Sequence, residues 1–146
     1  MSRNMLFKIL ACLVISICIV NFFASTFHWY YSIWYFDMIM HFLGGAWLGL
    51  LAVWLLLRKS TTLEQPYGLV FKAIVAVFIL GAGWELYEAL VDYSVVHNFS
   101  RFNLGDTFSD VCCDLAGGIL ATLFAVKNST YHPLPPPPQG GENFSS

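Results

Sequence analysis

Four long apolar runs, separated by short polar or aromatic segments, set the pattern of the chain. They cover about residues 5–24, 36–57, 68–91 and 106–126. Each is close to the roughly 20 residues that an α-helix needs to cross about 30 Å of hydrocarbon. The runs are continuous and do not alternate between apolar and polar positions, so a β-barrel is not expected. The pattern predicts an all-α integral membrane protein, a four-helix bundle over residues 1–127.

The segments between the runs have the composition of membrane-surface turns and loops. Residues 25–36 are rich in Trp and Tyr, which concentrate where a chain turns at the membrane–water interface. Polar linkers are expected at 60–67 and 92–105. Residues 128–146 contain four consecutive prolines and are expected to form a disordered cytoplasmic tail, with a PxxP ligand for a partner as the alternative. The first run has the basic start of a signal peptide, but the aromatic block after it is a poor cleavage site, so an uncleaved helix is expected.

Composition supports a membrane location. The 146 residues are 58% hydrophobic and only 11% charged, whereas about a quarter of the residues in soluble domains are charged. The net charge of −2 provides no basic surface, so no nucleic-acid partner is expected. The four cysteines lie inside apolar runs without zinc-finger or CxxC spacing, and we interpret them as packing residues. The expected partner is therefore the lipid bilayer.

The basic residues indicate how the helices are oriented. With four helices, both termini lie on one side of the membrane, and six of the seven basic residues fall on that side. Positive charge concentrates in cytoplasmic loops, so both termini are predicted to be cytoplasmic in a multi-pass protein of the inner (plasma) membrane. Arg101 is the exception, and the six that agree are Arg3, Lys8, Arg58, Lys59, Lys72 and Lys127.

Seven of the nine acidic residues gather at the opposite, outer end of the second, third and fourth helices. They fall into three groups at helical spacing, so the members of each group share a helix face. At a rise of about 1.5 Å per residue the groups overlap in depth within the outer third of the membrane, where we expect them to meet. The groups are Asp37 with His41; Glu85 with Glu88 and Asp92; and Asp106 with Asp110 and Asp114.

Carboxylates at this depth predict a functional site. A charged residue near a helix centre costs about 2.5–3.5 kcal/mol, and several together must be held by protons, cations or water. The deepest residues, His41, Glu85 and Asp114, are predicted to be metal ligands or catalytic acid–base groups. Carboxylates with one imidazole suit zinc, manganese or iron, although the sequence fixes no cofactor. Supporting roles are expected for Asp37, Glu88, Asp106 and Asp110, and the candidate metal ligands are His41, Glu85, Glu88, Asp110 and Asp114.

Structural roles are open for the same residues. Thr107-x-x-Asp110 matches a capping box, and the carboxylates near helix starts could serve as caps. Small residues adjoin each acidic group, which favours close contact between helix backbones. The structural alternatives are capping for Asp37, Asp106 and Asp110, solvation at the interface for Glu88 and Asp92, packing with a bond to Asp37 for His41, and a structural hydrogen bond to a neighbouring helix for Glu85 and Asp114. The small residues are Gly45 and Gly49, Gly81 to Gly83, and Gly117 with Gly118.

Three segments together resemble a known family. They are DMIMHFLGG at 37–45, WELYE at 84–88 and DTFSDVCCDLAGG at 106–118. Their spacing is similar to that of the YjdF-like bacterial inner-membrane proteins and, more distantly, of the VanZ-like membrane proteins. The resemblance covers about residues 37–126 and implies the fold, the membrane location and the carboxylate positions. It implies no reaction, because the YjdF-like proteins have no established activity.

Three classes of function stay open at this point. The first is a membrane enzyme or metal-binding protein that acts on an envelope or lipid-linked substrate. The second is a structural or partner-binding protein, in which the acidic cluster locks helices together. The third is proton- or cation-coupled transport, which the lack of polar residues in the inner halves of the helices disfavours. The sequence leaves open a homo-oligomer or an envelope partner.

Overall fold

The computed structural model describes residues 1–59, 66–96 and 104–128. These residues form five helices, and no residue among them lies in a β-strand, so the predicted all-α class is confirmed. The predicted tail from residue 129 onward, residues 60–65 and residues 97–103, which include Arg101, lie outside the described residues. The helices are α1 (Arg3–Thr26), α2 (Trp29–Ser32), α3 (Phe36–Lys59), α4 (Pro66–Val96) and α5 (Leu104–Asn128).

Four of the helices are long and apolar enough to cross a membrane. Large apolar side chains stand on their outer surfaces: Phe71 and Phe108 are 70% and 71% exposed. Such surfaces are stable against lipid tails and costly in water. The protein is therefore embedded in a lipid bilayer. The candidate spans are Asn4–Thr26, Phe36–Arg58, Tyr67–Val91 and Leu104–Asn128.

The helix ends follow local chemistry. Ser2 caps α1, because its side-chain oxygen accepts a hydrogen bond from the backbone N–H of Met5 at 3.2 Å. Pro66 begins α4, at the position where its missing N–H costs nothing. Helix α5 starts at Leu104, before the predicted start near residue 106, so Asp106 lies in the first turn and not at the cap.

The aromatic segment after α1 contains a short helix, α2, where the sequence predicted a turn. The backbone of His28 is left-handed with φ of 57°, which ends α1 and redirects the chain. The ring of Phe36 then packs edge-on against Tyr30 and Trp29, with centroids 5.0 and 5.6 Å apart. Aromatic packing thus connects α2 to the start of α3.

Helix α3 is central, and it packs most extensively against α5. Helix α1 lies at the edge of the bundle and contacts α3, where the Trp47 indole donates a hydrogen bond to the Leu10 carbonyl at 3.1 Å. The amino group of Met1 donates a hydrogen bond to the Asn128 carbonyl, so α1 begins where α5 ends. A buried apolar cluster occupies this end of the bundle and consists of Leu6, Leu10, Leu50, Val53, Leu69, Ala73 and Ala125.

Candidate functional site

At the other end of the bundle, a single buried imidazole lies among carboxylates from three helices. His41 is 7% exposed and lies one helical turn after Asp37 on α3. Glu85 on α4 and Asp114 on α5 reach the same ring, and both are buried. The shortest nitrogen–oxygen distances from His41 are 3.4 Å to Asp114, 3.7 Å to Glu85 and 3.9 Å to Asp37. The predicted meeting of the three acidic groups therefore holds at His41.

The two nitrogens of the His41 ring face different partners. Nδ1 lies 3.4 Å from Oδ2 of Asp114. Nε2 lies 3.7 Å from Oε1 of Glu85 and 3.9 Å from Oδ1 of Asp37. With the ring hydrogen on Nδ1 and directed at Asp114, the Nε2 lone pair faces two carboxylates. That arrangement is repulsive unless a proton or another cation lies on the Nε2 side of the ring.

Two buried carboxylate oxygens in the cluster have no hydrogen-bond partner among the described residues. They are Oε1 of Glu85 and Oδ1 of Asp110, on residues that are 8% and 4% exposed. A buried polar atom without a partner costs about 1–3 kcal/mol, and more when it is charged. Buried polar atoms are normally satisfied, so these two indicate that a proton, water or cation completes the cluster.

The donor atoms lie close enough together to hold a metal ion in two overlapping groups. One group is Asp37, His41 and Asp110, and the other is His41, Glu85 and Glu88. In each group one donor atom per residue lies within 4.8 Å of the others. Carboxylate oxygens with one imidazole nitrogen form a donor set that fits zinc, manganese or iron. Asp114 belongs to neither group, and its Oδ2 lies on the Nδ1 side of the ring.

Glycines allow Asp114 to approach both neighbouring helices. A Cβ atom at Gly81 on α4 would lie 2.6 Å from Oδ2 of Asp114. A Cβ at Gly45 on α3 would lie 2.6 Å from the Asp114 Cα, and one at Gly117 on α5 would meet the Phe42 carbonyl. Each of these distances is shorter than a Cβ tolerates. The three glycines therefore set the close contact that brings Asp114 to His41.

Two residues that the sequence did not connect with the site lie at its edge. Thr107, interpreted above as part of a cap, lies beside the Glu85 side chain. Tyr30 on α2 donates a hydrogen bond to the Asn21 side chain at 2.7 Å. Burial, followed by the nearby charges of Asp37 and Glu88, raises the pKa of Tyr30, so its hydroxyl stays protonated. One Tyr among several aromatic residues gives no signal in the sequence for a position beside the site.

The structure brings together six of the seven predicted site residues. Glu88 is exposed and the Asp37 side chain is 44% exposed, so the cluster opens at the protein surface on that side. Asp106 is the exception: it lies exposed in the first turn of α5 and belongs to neither group of donors. The six that converge are Asp37, His41, Glu85, Glu88, Asp110 and Asp114.

Four membrane-crossing helices, three of which enclose a buried carboxylate–histidine cluster, define a small α-helical, multi-pass membrane protein with a polar site at one end. The chain belongs to the family described as predicted membrane protein (DUF2238), whose model matches residues 1–130. The comparisons with curated proteins and with solved structures found no match. The family description agrees with the membrane location and specifies no activity.

Proposed function

We propose that the protein is a membrane metalloprotein that binds a divalent transition-metal ion in the cluster around His41. The observation that carries this proposal is the pair of buried, unpartnered oxygens on Glu85 and Asp110 beside one imidazole. A divalent ion neutralises two charges at once and would give the oxygen in its own donor group a partner, while a proton or water completes the other, because Glu85 and Asp110 belong to different groups. It would also occupy the Nε2 side of the His41 ring, where two carboxylates face a lone pair.

The ligands are His41, through Nε2, and the carboxylates of one of the two donor groups that share it. Glu85 and Glu88 form the group with an exposed member, and Asp37 and Asp110 form the other group. Imidazole with carboxylates selects zinc, manganese or iron over magnesium and calcium, which prefer all-oxygen sites. A bound divalent ion would supply Lewis-acid chemistry. We expect the exposed side of the cluster to lie at the membrane–water interface. This position suits a lipid-linked or envelope substrate, and so does the predicted orientation, which places the cluster at the outer end of the helices.

Asp114 has a positioning role in this proposal, although the sequence gave it a ligand role. Its Oδ2 faces Nδ1 of His41, and it belongs to neither donor group. A carboxylate that accepts the hydrogen bond of a metal-bound histidine fixes the ring and makes the other nitrogen a better ligand. Loss of such a partner typically weakens metal binding about 10- to 100-fold.

Metal content of the purified full-length protein tests the proposal. We expect about one zinc, manganese or iron ion per chain after purification from metal-supplemented medium, by elemental analysis. His41→Ala and Glu85→Gln should lower the content at least about tenfold, because each removes a ligand. Thr122→Val is the matched control, since Thr122 is a fully buried polar residue on α5 outside the cluster. The proposal would be refuted if purified wild-type protein contained no metal and its melting temperature did not change when metal was added.

Asp114→Asn separates the positioning role from a ligand role. If Asp114 acts through His41, saturating metal should still fill the site, with weaker affinity and an unchanged number of ligands. The number of ligands can be measured by loading the protein with cobalt(II), because the visible spectrum of bound cobalt depends on the number and type of its ligands. A spectrum altered at saturation, as in Glu85→Gln, would assign Asp114 to the ligands.

A structural role is the second candidate, and the link between α3 and α5 through His41 and Asp114 favours it. Here the cluster would stabilise the bundle without metal. In that case Glu85→Gln should lower the melting temperature by the same amount with and without added metal. Under the metal proposal, the difference between wild type and variant should grow with metal concentration, because binding to the folded state adds stability.

A further inference from the structure

A second polar feature lies at the opposite end of the bundle, between α1 and α3. Here an open groove of about 480 Å³ is lined by Asn4, Phe7, Lys8, Trp54 and Arg58. Asp37 and Arg58 are separated on α3 by 21 residues (58 − 37 = 21), or about 30 Å of helix, which matches the hydrocarbon thickness. The groove therefore lies at the other membrane–water interface and is independent of the His41 cluster.

The groove has an aromatic wall beneath a basic rim. The Phe7 and Trp54 rings pack against each other with centroids 5.9 Å apart. The Arg58 guanidinium lies over the Trp54 ring, 5.6 Å from its centroid, so stacking holds it in place. Lys8 adds a second cation on the facing helix. Apolar surface and paired cations thus lie side by side at the depth of lipid headgroups.

The two cations have no anionic partner among the described residues. No carboxylate in that part of the chain forms an ion pair with Lys8 or Arg58, and both side chains are exposed. Helix α1 packs against α3 at the edge of the bundle, and the groove between them is open at the outer surface of the protein. A ligand that diffuses within the membrane can enter it without passing through the protein.

We infer that this groove binds one anionic phospholipid. The phosphate would lie between Lys8 and Arg58, since guanidinium forks bind phosphate oxygens with two parallel hydrogen bonds and lysine adds a point charge. Asn4 offers a further donor, and the Phe7–Trp54 wall contacts the glycerol and upper acyl chain. Basic pockets between membrane helices are a recurring binding mode for anionic headgroups.

Native mass spectrometry of the full-length protein, released from nanodiscs of phosphatidylglycerol and phosphatidylcholine, tests this inference. Wild type should retain one phosphatidylglycerol in preference to phosphatidylcholine. K8Q/R58Q should bind it about 10- to 30-fold more weakly, because each basic residue near the surface contributes roughly a factor of five. The single variant Arg58→Lys keeps the charge and loses the fork and the stacking, so a several-fold loss is expected even if the double variant fails to fold.

Lys127→Gln is the matched control, since Lys127 lies in the last turn of α5 at the same end of the bundle. Unchanged retention in this variant supports a defined site in the groove. Equal weakening by Lys127→Gln and K8Q/R58Q would overturn the inference, because diffuse attraction to anionic lipid would explain both. Displacement of the lipid by inorganic phosphate at comparable concentration would also overturn it, since the site would then recognise phosphate alone.

Discussion

The two ends of the bundle are held together by different means. At the end where α1 begins, buried Leu, Val and Ala side chains from all four long helices fill the space between them. At the His41 end, buried carboxylates take the place of apolar side chains, and glycines bring the backbones together. Lipid tails are as apolar as leucine, so close packing and polar contacts drive helix association in a membrane. The interior of one end is therefore apolar, and the other end carries buried charges that protons, water or a bound cation must compensate.

The largest expected effect tests the glycine contacts at the acidic end. Gly45→Ala places a Cβ 2.6 Å from the Asp114 Cα, so α3 and α5 must separate. We expect a loss of about 3 kcal/mol in the free energy of unfolding, at the upper end of the range for overpacked positions. Unfolding in mixed detergent and SDS micelles measures it.

Gly83→Ala is the control for this substitution, because nothing lies within 4 Å of a Cβ there. It should leave stability unchanged or raise it by up to about 1 kcal/mol through better helix propensity. Similar losses in both variants would remove the contrast between packed and open glycines.

A prediction of intermediate size concerns the charge of Asp110, which should lower the free energy of unfolding of the metal-free protein. Asp110→Asn removes the charge from a residue that is 4% exposed and has an unpartnered oxygen. We expect chelator-treated Asp110→Asn to be more stable than wild type by about 1–2 kcal/mol. With saturating zinc the order should reverse, since wild type binds more tightly and gains more stability.

The counterpart at the apolar end is Val53→Thr, at a residue that is fully buried. Adding a hydroxyl there should lower the free energy of unfolding by about 1–2 kcal/mol, whether or not metal is present. Lower stability of metal-free Asp110→Asn would show instead that the carboxylate stabilises the fold without a cation.

The smallest expected effect concerns the attachment of α1. Trp47→Phe removes the hydrogen bond to the Leu10 carbonyl, which connects α3 to α1 at 3.1 Å. Hydrogen bonds between membrane helices contribute about 0.6 kcal/mol on average, so a loss near this value is expected. Trp84→Phe, at a half-exposed residue on α4, should have no measurable effect on unfolding. Equal losses would mean that ring size, and not the hydrogen bond, determines the result.

Much of the fold could be predicted from the sequence, because long apolar runs have few alternatives in a membrane. The meeting of Asp37, Glu85 and Asp114 at His41 was also predictable, since helical spacing sets the face and the rise sets the depth. The short helix α2 was not, because a single turn follows from aromatic packing and the left-handed His28. The sequence of an aromatic segment does not show whether the segment forms an irregular turn or a helical turn that packs against the next helix.

The detailed arrangement of side chains in the site could not be predicted, because it also depends on how the helices pack. Spacing indicates which residues share a helix face, but the rotation of α5 against α3 depends on contacts made where side chains are missing, at Gly45 and Gly117. This rotation places Asp114 on the Nδ1 side of His41 and the other carboxylates elsewhere. It also distinguishes Asp110, which is buried, from Asp106, which lies one turn earlier and is exposed.

The glycine contacts around Asp114 have a consequence for how mutations in this protein should be interpreted. A saturation scan scored on metal content should find positions 45 and 117, and to a smaller extent position 81, intolerant of substitution, although glycine offers no side chain to bind a metal. A search for determinants of binding that considers only charged residues would overlook them. Transplanting the site into another helical bundle would likewise require these three gaps as well as the ligands, because the gaps determine the distance at which the ligands meet.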